Sequence, residues 1–425
     1  MYQYTEFDRQ FVRARAAQFR DQLERWQSGK LTDDEFRPLR LQNGWYVQRY
    51  APMTRIAVPY GDIASYQLRA LARVAREYDQ PDAALLRDAQ AKQLTLGEVP
   101  VPGGAPVATK LHYGYGHFTT RTNVQFNWIP IDKAADVMEL LANAQMHGIQ
   151  TSGNTIRNIT TDELAGVGHD EVADPRPFAE ILRQWSTLHP EFAFLPRKFK
   201  VALNGGRDDH AALGWYDIGL QLVRNDAGEL GFKVLVGGGM GRTPIIGTVV
   251  RPFLPWQHLL NYVEACIRVY NEYGRRDNVW KARIKILVKA EGQRYIDKVE
   301  AEFKAIVDHD GGPHTLTQAE YDRVASSFVN PELNPPARKG AAAQVHAIVQ
   351  ADAEADPLYR RWLERNVRAH RNPQLRIVTL SFKRLGYAPG DATAEQMEMA
   401  ADLADRFSAG EARLTHEQNL LLPWV

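Results

Sequence analysis

The sequence predicts an α+β fold that contains a duplicated unit of strand, helix, strand and helix. Two pairs of similar segments indicate the duplication. The stretch MTRIAVPYGDIASYQLRALARVAREYD, from Met53, resembles FKRLGYAPGDATAEQMEMAADLADRFS, from Phe382, and HFTTRTNVQF, from His117, resembles RLTHEQNLLL, from Arg413. Between the copies, strand patterns come first and helical patterns follow, as is typical of α+β proteins.

The first pair of segments aligns at one constant offset. The matching positions are Arg55 with Arg384, Gly61-Asp62 with Gly390-Asp391, and Gln67 with Gln396. In the second pair, Thr119 aligns with Thr415 and Asn123 with Asn419. Because both matches occur in the same order, we expect residues 55–79 to superpose on 384–408 as a strand and a helix about a pseudo-twofold axis.

The elements between and beside these segments have their own patterns. In the first copy, the strand HFTTRTNVQFNWI precedes the amphipathic helix KAADVMELLANAQMHG. Between the copies lie the strand KFKVALN, a hairpin that turns at Asn225 to Gly228, and two helices, LPWQHLLNYVEACIRVYNEYG and RYIDKVEAEFKAIV. Proline and glycine predict a loop inserted at QAKQLTLGEVPVPGGAPVATKLHYGYG and a linker at VNPELNPPARKGAAAQ.

Composition indicates an ordinary soluble globular protein of two or three domains. The 425 residues are 44% hydrophobic and 24% charged, and 52 Lys and Arg balance 51 Asp and Glu to a net charge of +1. Without a global basic field, the chain is not expected to bind nucleic acid or a membrane surface, so any anion site must be local. No apolar run is long enough to span a bilayer, and we expect a cytoplasmic protein.

The single cysteine, Cys266, lies in the helical apolar pattern LLNYVEACIRVY. Such a setting predicts a packed core thiol rather than a reactive one. One cysteine forms no disulfide within the chain and cannot by itself hold a metal cluster.

The stretch LPRKFK at 195–200 places three cations in four residues. On an extended strand, Lys198 and Lys200 point to one face, with Ala202 after them, whereas Phe199, Val201 and Leu203 point to the other, into a core. This pattern indicates a half-buried strand with a basic stripe. The stripe is either a solvated face or part of a site for an anion.

Other motifs favour a binding site less clearly. GGGMGR at 237–242 permits close backbone approach but lacks the features of a phosphate-binding loop or a dinucleotide fingerprint. DHDGGPH at 308–314 has no partner at metal-ligand spacing and is interpreted as a polar loop. Arg157 in SGNTIRNIT is either a surface arginine or part of an anion site completed by backbone donors.

Together these motifs resemble a known family. The order MTRIAVPYG, TTRTNVQFNW, TSGNTIRNIT, LPRKFK, VLVGGGMGR and a second Thr-x-x-x-Asn strand in RLTHEQN is similar to that of the haem-containing sulfite and nitrite reductases, the sirohaem enzymes. The resemblance runs from about Leu41 to Val425. It implies ferredoxin-like halves related by a pseudo-twofold axis, together with a sirohaem-binding α+β lobe.

The resemblance also implies the following domain organisation. An N-terminal helical arm at 1–50 precedes the first ferredoxin-like half at 51–150 and the first copy of the 4Fe-4S-type, sirohaem-binding domain at 151–328. A linker at 329–375 leads to the second ferredoxin-like repeat at 376–425, which is interpreted as truncated.

Residue roles and cofactors follow from the same resemblance. It implies the six-electron reduction of sulfite to sulfide or of nitrite to ammonia, with electrons from a ferredoxin or a flavoprotein. Arg55, Arg157, Lys198 and Lys200 would hold the substrate oxyanion, the arginines mainly for binding and the lysines mainly for proton delivery. The cofactor contacts would be Arg121, Gln125, Arg197, Gly237, Gly238 and Gly239.

The sequence departs from the family in its cysteines. In the family, two cysteine pairs after the second repeat hold a four-iron cluster that is coupled to sirohaem, and this sequence has no counterpart of them. We therefore expect the chain to be an incomplete and inactive piece of a reductase, poorly soluble because LLLPWV would be exposed. The alternatives are a non-catalytic tetrapyrrole-binding module and, less favoured by the charge balance, a nucleic-acid-binding protein.

Overall fold

A computed structural model of the chain describes residues 1–48, 51–85, 87, 98–99, 107–108, 113–331 and 341–425. The helices of these residues are α1 (Glu6–Gln27), α2 (Asp33–Gln42), α3 (Ser65–Glu77), α4 (Ala134–Asn143), α5 (Arg176–Ser186), α6 (Leu259–Tyr273), α7 (Ile284–Glu291), α8 (Gln293–Asp308), α9 (Gln318–Ala325), α10 (Ala341–Ala355), α11 (Pro357–Asn366) and α12 (Ala394–Phe407).

The strands of the same residues form three five-stranded sheets and a two-stranded ribbon. They are β1 (Trp45–Val47), β2 (Pro52–Ala57), β3 (Asp62–Ala64), β4 (Glu98–Val99), β5 (Val107–Ala108), β6 (Tyr115–Phe118), β7 (Asn123–Phe126), β8 (Thr160–Thr161), β9 (Val201–Asn204), β10 (Ile218–Arg224), β11 (Leu230–Val236), β12 (Thr248–Pro255), β13 (Val367–Ala369), β14 (Arg376–Leu380), β15 (Asp391–Thr393), β16 (Glu411–Leu414) and β17 (Leu420–Leu422). The mixture of helices with largely antiparallel sheets confirms the predicted α+β class.

The two repeats exchange strands, and this exchange binds them together. The first-repeat sheet has the order β1–β2–β7–β6–β15, and the second-repeat sheet has the order β13–β14–β17–β16–β3. Thus β3 of the first copy pairs with β16 of the second, and β15 of the second pairs with β6 of the first. Helices α3 and α12 pack against each other, and both repeats share one apolar core.

The backbone requires the glycines and glutamines that match between the two repeats. A Cβ atom on Gly61 would lie 2.7 Å from the carbonyl oxygen of Leu414, and one on Gly390 would lie 2.5 Å from that of Phe118; both glycines have φ near +87°. Gln67 and Gln396 each accept a hydrogen bond from the backbone N–H that precedes their helix, at 3.0 and 2.9 Å. These backbone requirements maintain the repeat signal.

The Thr-x-x-x-Asn turns of the two copies are also equivalent. In both, the asparagine N–H donates to the threonine Oγ1, at 3.2 Å in Thr119–Asn123 and 3.1 Å in Thr415–Asn419. The residue before each asparagine has a positive φ, 50° for Thr122 and 64° for Gln418. A single backbone conformation therefore recurs with different side chains.

The predicted superposition is wrong for the strand that opens each repeat. In the first-repeat sheet, Arg55 pairs with Gln125. Leu421 is the second-repeat equivalent of Gln125, and it pairs with Thr379 and not with Arg384. Arg384 lies five residues further along, in the connection between β14 and β15. The second copy has a longer connection at this point, so the constant offset holds only from the glycine onwards.

The middle sheet, ordered β12–β11–β10–β9–β8, forms the core of the second lobe. Strands β8, β9 and β10 are parallel, and β10 and β11 form the predicted hairpin. Helices α5 and α6 contribute to the apolar core on this sheet, and α6 also packs on α8. Cys266 of α6 is fully buried there, as its apolar pattern predicts.

Two expectations about connecting segments need correction. The predicted linker at 329–375 contains α10, α11 and β13, and β13 is part of the second-repeat sheet. The segment LLLPWV is not exposed: β17 lies between β14 and β16, and Leu420, Leu421, Leu422 and Trp424 are all buried. The loop predicted around 90–116 and the proline-rich part of the linker lie largely outside the described residues.

Candidate active site

The stretch around Phe199 positions the two lysines of LPRKFK. Phe199 is fully buried and forms a parallel bridge with Ile156, which continues the pairing of β8 and β9. Burial of a phenylalanine side chain stabilises by roughly 1.5–3 kcal/mol, so this anchor fixes the direction of its neighbours. Lys198 and Lys200, on either side, point to the opposite face and are half-buried.

The basic stripe is shorter than the pattern predicts. Ala202 is fully buried in a small cluster with Ala211, Leu213 and Tyr216, so β9 is covered on both faces from Val201 onwards. The partly exposed part of this face therefore consists of Lys198 and Lys200, which precede the strand.

The Gly- and Asn-rich turn binds Arg157 through its carbonyl groups. The guanidinium donates to the carbonyl oxygen of Thr151 at 2.6 Å and to that of Gly153 at 2.8 and 3.1 Å. The hydroxyl of Tyr46 also donates to the Thr151 oxygen, at 3.2 Å. Arg157 is thus held within the protein and is not a free surface arginine.

Arg55 reaches the same turn from the first-repeat sheet. Its Nη2 donates to Gln125 Oε1 at 2.8 Å, and its Nη1 lies 3.5 Å from the carbonyl oxygen of Thr151. Gln125 in turn donates to Asn127 at 2.9 Å. The two arginines therefore converge on one carbonyl group, and Gln125 orients Arg55.

Arg121 enters from the turn before β7. Its guanidinium carbon lies 4.2 Å from the centre of the Tyr216 ring, a cation–π distance. Three buried polar atoms in this region have no hydrogen-bond partner: Arg55 Nε, Arg121 Nη1 and Ser152 Oγ. Unpaired buried donors are costly, and a bound polar ligand could satisfy these three.

The predicted cations influence one another's ionisation. Burial is the largest cause that lowers the pKa of Lys198 to about 8 and that of Lys200 to about 6. The cations that lower the pKa of Lys198 further are Arg157, Arg283, Arg197 and Arg55. Those acting on Lys200 are Arg121, Arg283 and Lys198, while Asp217 opposes them.

Arg157 shows the same crowding. Burial is the largest cause that lowers its pKa to about 10; Tyr46 opposes the shift, and Arg55 and Arg197 add to it. Neither lysine ammonium group has a hydrogen-bond or ion-pair partner in the described part of the chain. The site thus brings several cations together with the carboxylate of Asp217, which Arg283 already binds, in a protein of nearly zero net charge.

Sequence reasoning missed Arg283, Lys285 and Asp217. Arg283 binds Asp217, and Lys285 donates to the carbonyl oxygens of Met240 and Thr243, at 3.0 and 2.6 Å, which ties down the glycine-rich loop. The sequence did contain a sign that Arg283 and Lys285 bind other groups, because they lie at the start of α7 and its first turn has no acidic residue. Cations are unfavourable at a helix N-terminus unless other groups bind them.

The three glycines of VLVGGG are required by packing within the chain. A Cβ atom would lie 2.8 Å from Val288 at Gly237, 2.2 Å from the carbonyl oxygen of Gly214 at Gly238, and 2.9 Å from Lys285 at Gly239. This explains the residue type without a ligand, and contact with a cofactor stays a prediction.

The residues present do not fit an iron–sulfur cluster. The 425 residues contain one cysteine, Cys266, and burial raises its pKa far above the ordinary value. No group of three or more His, Cys, Asp or Glu side chains suited to a metal ion occurs among the described residues.

Over the same residues, none of the helices has both the length and the apolar character to cross a bilayer.

Comparison with known proteins gives consistent family matches. Residues 152–306 match the family described as "Nitrite and sulphite reductase 4Fe-4S domain", and residues 105–144 and 380–425 match the "Nitrite/Sulfite reductase ferredoxin-like half domain". The segment 105–144 and its partner 380–425 include the two Thr-x-x-x-Asn turns, so the second match coincides with the duplication.

Individual relatives carry the same names. The chain is 25% identical to an assimilatory ferredoxin-dependent nitrite reductase of Haloferax mediterranei, over 86% of this chain and 54% of the relative. It is 26% identical to a sulfite reductase [ferredoxin] of Mycolicibacterium paratuberculosis, over 60% of this chain and 47% of that protein. The chain therefore spans about half the length of these relatives.

A solved structure agrees in fold. The NirA protein of Mycobacterium tuberculosis superposes with a TM-score of 0.62 and 20% identity, covering 92% of this chain and 60% of that one. At this identity the likeness concerns the fold alone.

Proposed function

Because the chain belongs to the nitrite and sulfite reductase family, we propose that its cation cluster binds sulfite or nitrite for six-electron reduction to sulfide or ammonia. Arg55, Arg157, Lys198 and Lys200 would hold the oxyanion. The supporting observation is their convergence: two arginines share the Thr151 carbonyl, and two lysine ammonium groups have no partner within the described residues.

The arginines and lysines would have different tasks. Arginine stays charged and binds an oxyanion without donating its proton. A lysine ammonium with a lowered pKa gives up its proton more readily, and a bound anion raises that pKa again. At pH 7, a pKa of about 6 leaves Lys200 mostly neutral, whereas about 8 leaves Lys198 mostly charged. Oxyanion binding would therefore bring a proton to Lys200, next to an oxygen that must leave as water.

The family's sirohaem would be held by Arg121 and Arg197, with Gln125 and the turn at 237–239 close by. Arg121 fits this role, because its buried Nη1 has no partner and an arginine fork suits the carboxylates of the cofactor. Gln125 fits it less directly, since its amide already bridges Arg55 and Asn127. The cofactor, when bound, supplies the redox-active iron at which the oxyanion is reduced.

The cluster that completes the electron path in this family would need thiolates that these 425 residues do not provide. We propose that the chain by itself does not catalyse the full reduction, whether the donor is a ferredoxin or a flavoprotein. The same observation favours a second candidate function, a tetrapyrrole-binding module without redox activity. Reconstitution with sirohaem, followed by an absorption spectrum and an activity assay with a strong artificial donor, separates the two.

Calorimetric titration of the purified chain with nitrite and with sulfite tests the oxyanion site. We expect binding that weakens at least tenfold in Lys198→Met and in Lys200→Met, since each removes a charge or a proton that the anion recruits. Lys289→Met, at an exposed position of α7, is the matched control and should bind as the wild type does. Absence of binding at millimolar anion, or equal affinity in all three variants, would contradict the proposal.

A further inference from the structure

Lys200 and Asp217 are cross-strand neighbours that do not form an ion pair. The first registered pair of the parallel strands β9 and β10 is Val201 with Ile218, and both side chains point into the core. The preceding residues, Lys200 and Asp217, therefore point to the other face. Opposite charges in such positions normally attract each other, yet the ion pairs of the described residues do not include this one.

Asp217 is engaged elsewhere. Its carboxylate is fully buried, and Oδ1 accepts hydrogen bonds from Arg283 Nη2 at 2.6 Å and Arg283 Nε at 3.1 Å. Its Oδ2 accepts the backbone N–H of Lys200 at 2.9 Å. Asp217 thus fixes the Lys200 backbone, while Arg283 occupies the carboxylate that the Lys200 side chain would otherwise reach.

We propose that Arg283 is a positioning residue that keeps Asp217 away from the Lys200 ammonium group, so that this group stays free to face an oxyanion. This inference rests on the proposed function, because a free Lys200 ammonium group matters only if the site binds an oxyanion. Arg283 would act through Lys200 and would not contact the substrate. The low pKa of Lys200 agrees with it. The charged groups that face Lys200 are Arg121 from the turn before β7, Asp217 from β10, Arg283 before α7, and Lys198.

Removal of Arg283 has a defined consequence for Lys200. Without the guanidinium, the buried carboxylate of Asp217 loses its partner, and an unpaired buried charge is strongly unfavourable. In the strand register, the residue opposite Asp217 is Lys200, whose ammonium group carries the opposite charge when protonated. In Arg283→Met, Lys200 should therefore hold its proton more tightly, because one repelling cation is lost and one carboxylate is released.

Lysine protonation can be measured without any oxyanion. An amine-reactive acylating reagent modifies only the neutral amine, and mass spectrometry of peptides from the full chain gives the rate at Lys200 as a function of pH. We expect the rate at pH 7 to fall at least tenfold in Arg283→Met, which corresponds to a rise of the Lys200 pKa from about 6 to about 8 or above. Arg275→Met, which removes the arginine of the exposed Arg275–Asp277 pair, is the control and should change the rate less than twofold.

Two further variants separate charge from packing. Arg283→Lys keeps a cation beside Asp217 and should stay within threefold of the wild-type rate. Asp217→Asn combined with Arg283→Met removes both charges and should also restore the rate to within threefold. If Arg283→Met does not fold, Arg283→Gln provides the same comparison, since it keeps a donor beside the carboxylate without the charge.

The proposal is overturned if Arg283→Met, or Arg283→Gln in its place, labels Lys200 within twofold of the wild type. It is also overturned if the double variant or Arg283→Lys labels as slowly as Arg283→Met. Loss of nitrite and sulfite binding with the expected labelling rates would instead contradict the proposed function alone, because labelling requires no substrate.

Discussion

The two Thr-x-x-x-Asn turns have the same backbone and opposite chemistry. The turn Thr119–Asn123 presents Arg121, which stacks on Tyr216 beside Lys200, whereas the equivalent position in Thr415–Asn419 is Glu417. On the neighbouring strands, Arg55 of the first repeat corresponds to Thr379 of the second. The repeats therefore share the groups that shape the chain, and only one of them carries cations into the site.

The two junctions at which the repeats exchange strands, β3 with β16 and β15 with β6, also differ in chemistry. Asp62 pairs with Arg413 in one sheet, and Asp391 pairs with His117 at the equivalent place in the other. Arg413 is fully buried and contacts Asp62 at 3.3 Å, Glu411 at 2.9 Å and two carbonyl groups. The His117–Asp391 pair, at 2.6 Å, is partly exposed. Equivalent junctions thus differ in how much stability depends on one side chain.

The largest expected effect comes from these junctions. Arg413→Met leaves Asp62 and Glu411 with fewer partners in a buried setting and should destabilise by about 3–5 kcal/mol. His117→Gln, at the partly exposed junction, should cost about 1 kcal/mol or less. Urea unfolding followed by circular dichroism measures both. Equal losses in the two variants would show that the junctions are energetically alike and would break the comparison.

The matched glycines should behave alike, in contrast to the junctions. Gly61→Ala and Gly390→Ala each introduce a Cβ atom at positive φ within 2.7 Å of a carbonyl oxygen, and each should cost about 1–3 kcal/mol. Gly228→Ala is the control, because its φ is +82° but nothing lies within 4 Å of the new Cβ atom. Its smaller loss in the same unfolding assay isolates the cost of the contact. If Gly228→Ala lost as much stability as the other two variants, the whole cost would be due to the positive φ and not to the contact.

Exchanging the turn residues tests which repeat binds the anion. Arg121→Glu gives the first turn the residue of the second and should weaken nitrite binding at least tenfold, since it places a carboxylate beside Lys200. Glu417→Arg makes the reverse change and should leave nitrite affinity within twofold. Calorimetry of both variants provides the measurement. A comparable loss in Glu417→Arg would mean that the second turn contributes to the site.

Much of the fold could be predicted from sequence because its signals are local. Gly61 and Gly390 are needed for their φ and close contacts, and Gln67 and Gln396 for capping, so the repeat remains visible in single residues. The strand offset was missed because Arg384 stands at the same distance from Gly390 as Arg55 does from Gly61, although the register pairs Thr379 at that place. The spacing of residues along the chain does not determine which residues pair across a sheet.

The site could be predicted only in part, for the same reason. Alternation along LPRKFK predicts that Lys198 and Lys200 share a face. Their relation to Asp217 and Arg283 depends on the register of β9 with β10 and on the position of α7, which joins them from far along the chain. Likewise, the burial of Leu420–Leu422 follows from their central place in the second-repeat sheet, which an apolar run alone does not reveal.

Proton uptake on nitrite binding tests the central claim most directly. Nitrite carries no proton at neutral pH, so titrations in buffers with different ionisation enthalpies report protons taken up by the protein. With pKa values of about 6 for Lys200 and about 8 for Lys198, we expect net uptake at pH 7, and an affinity that falls as the pH rises from 6 to 9. The uptake should largely disappear in Lys200→Met. Nitrite binding without proton uptake, or uptake unchanged in Lys200→Met, would contradict the account.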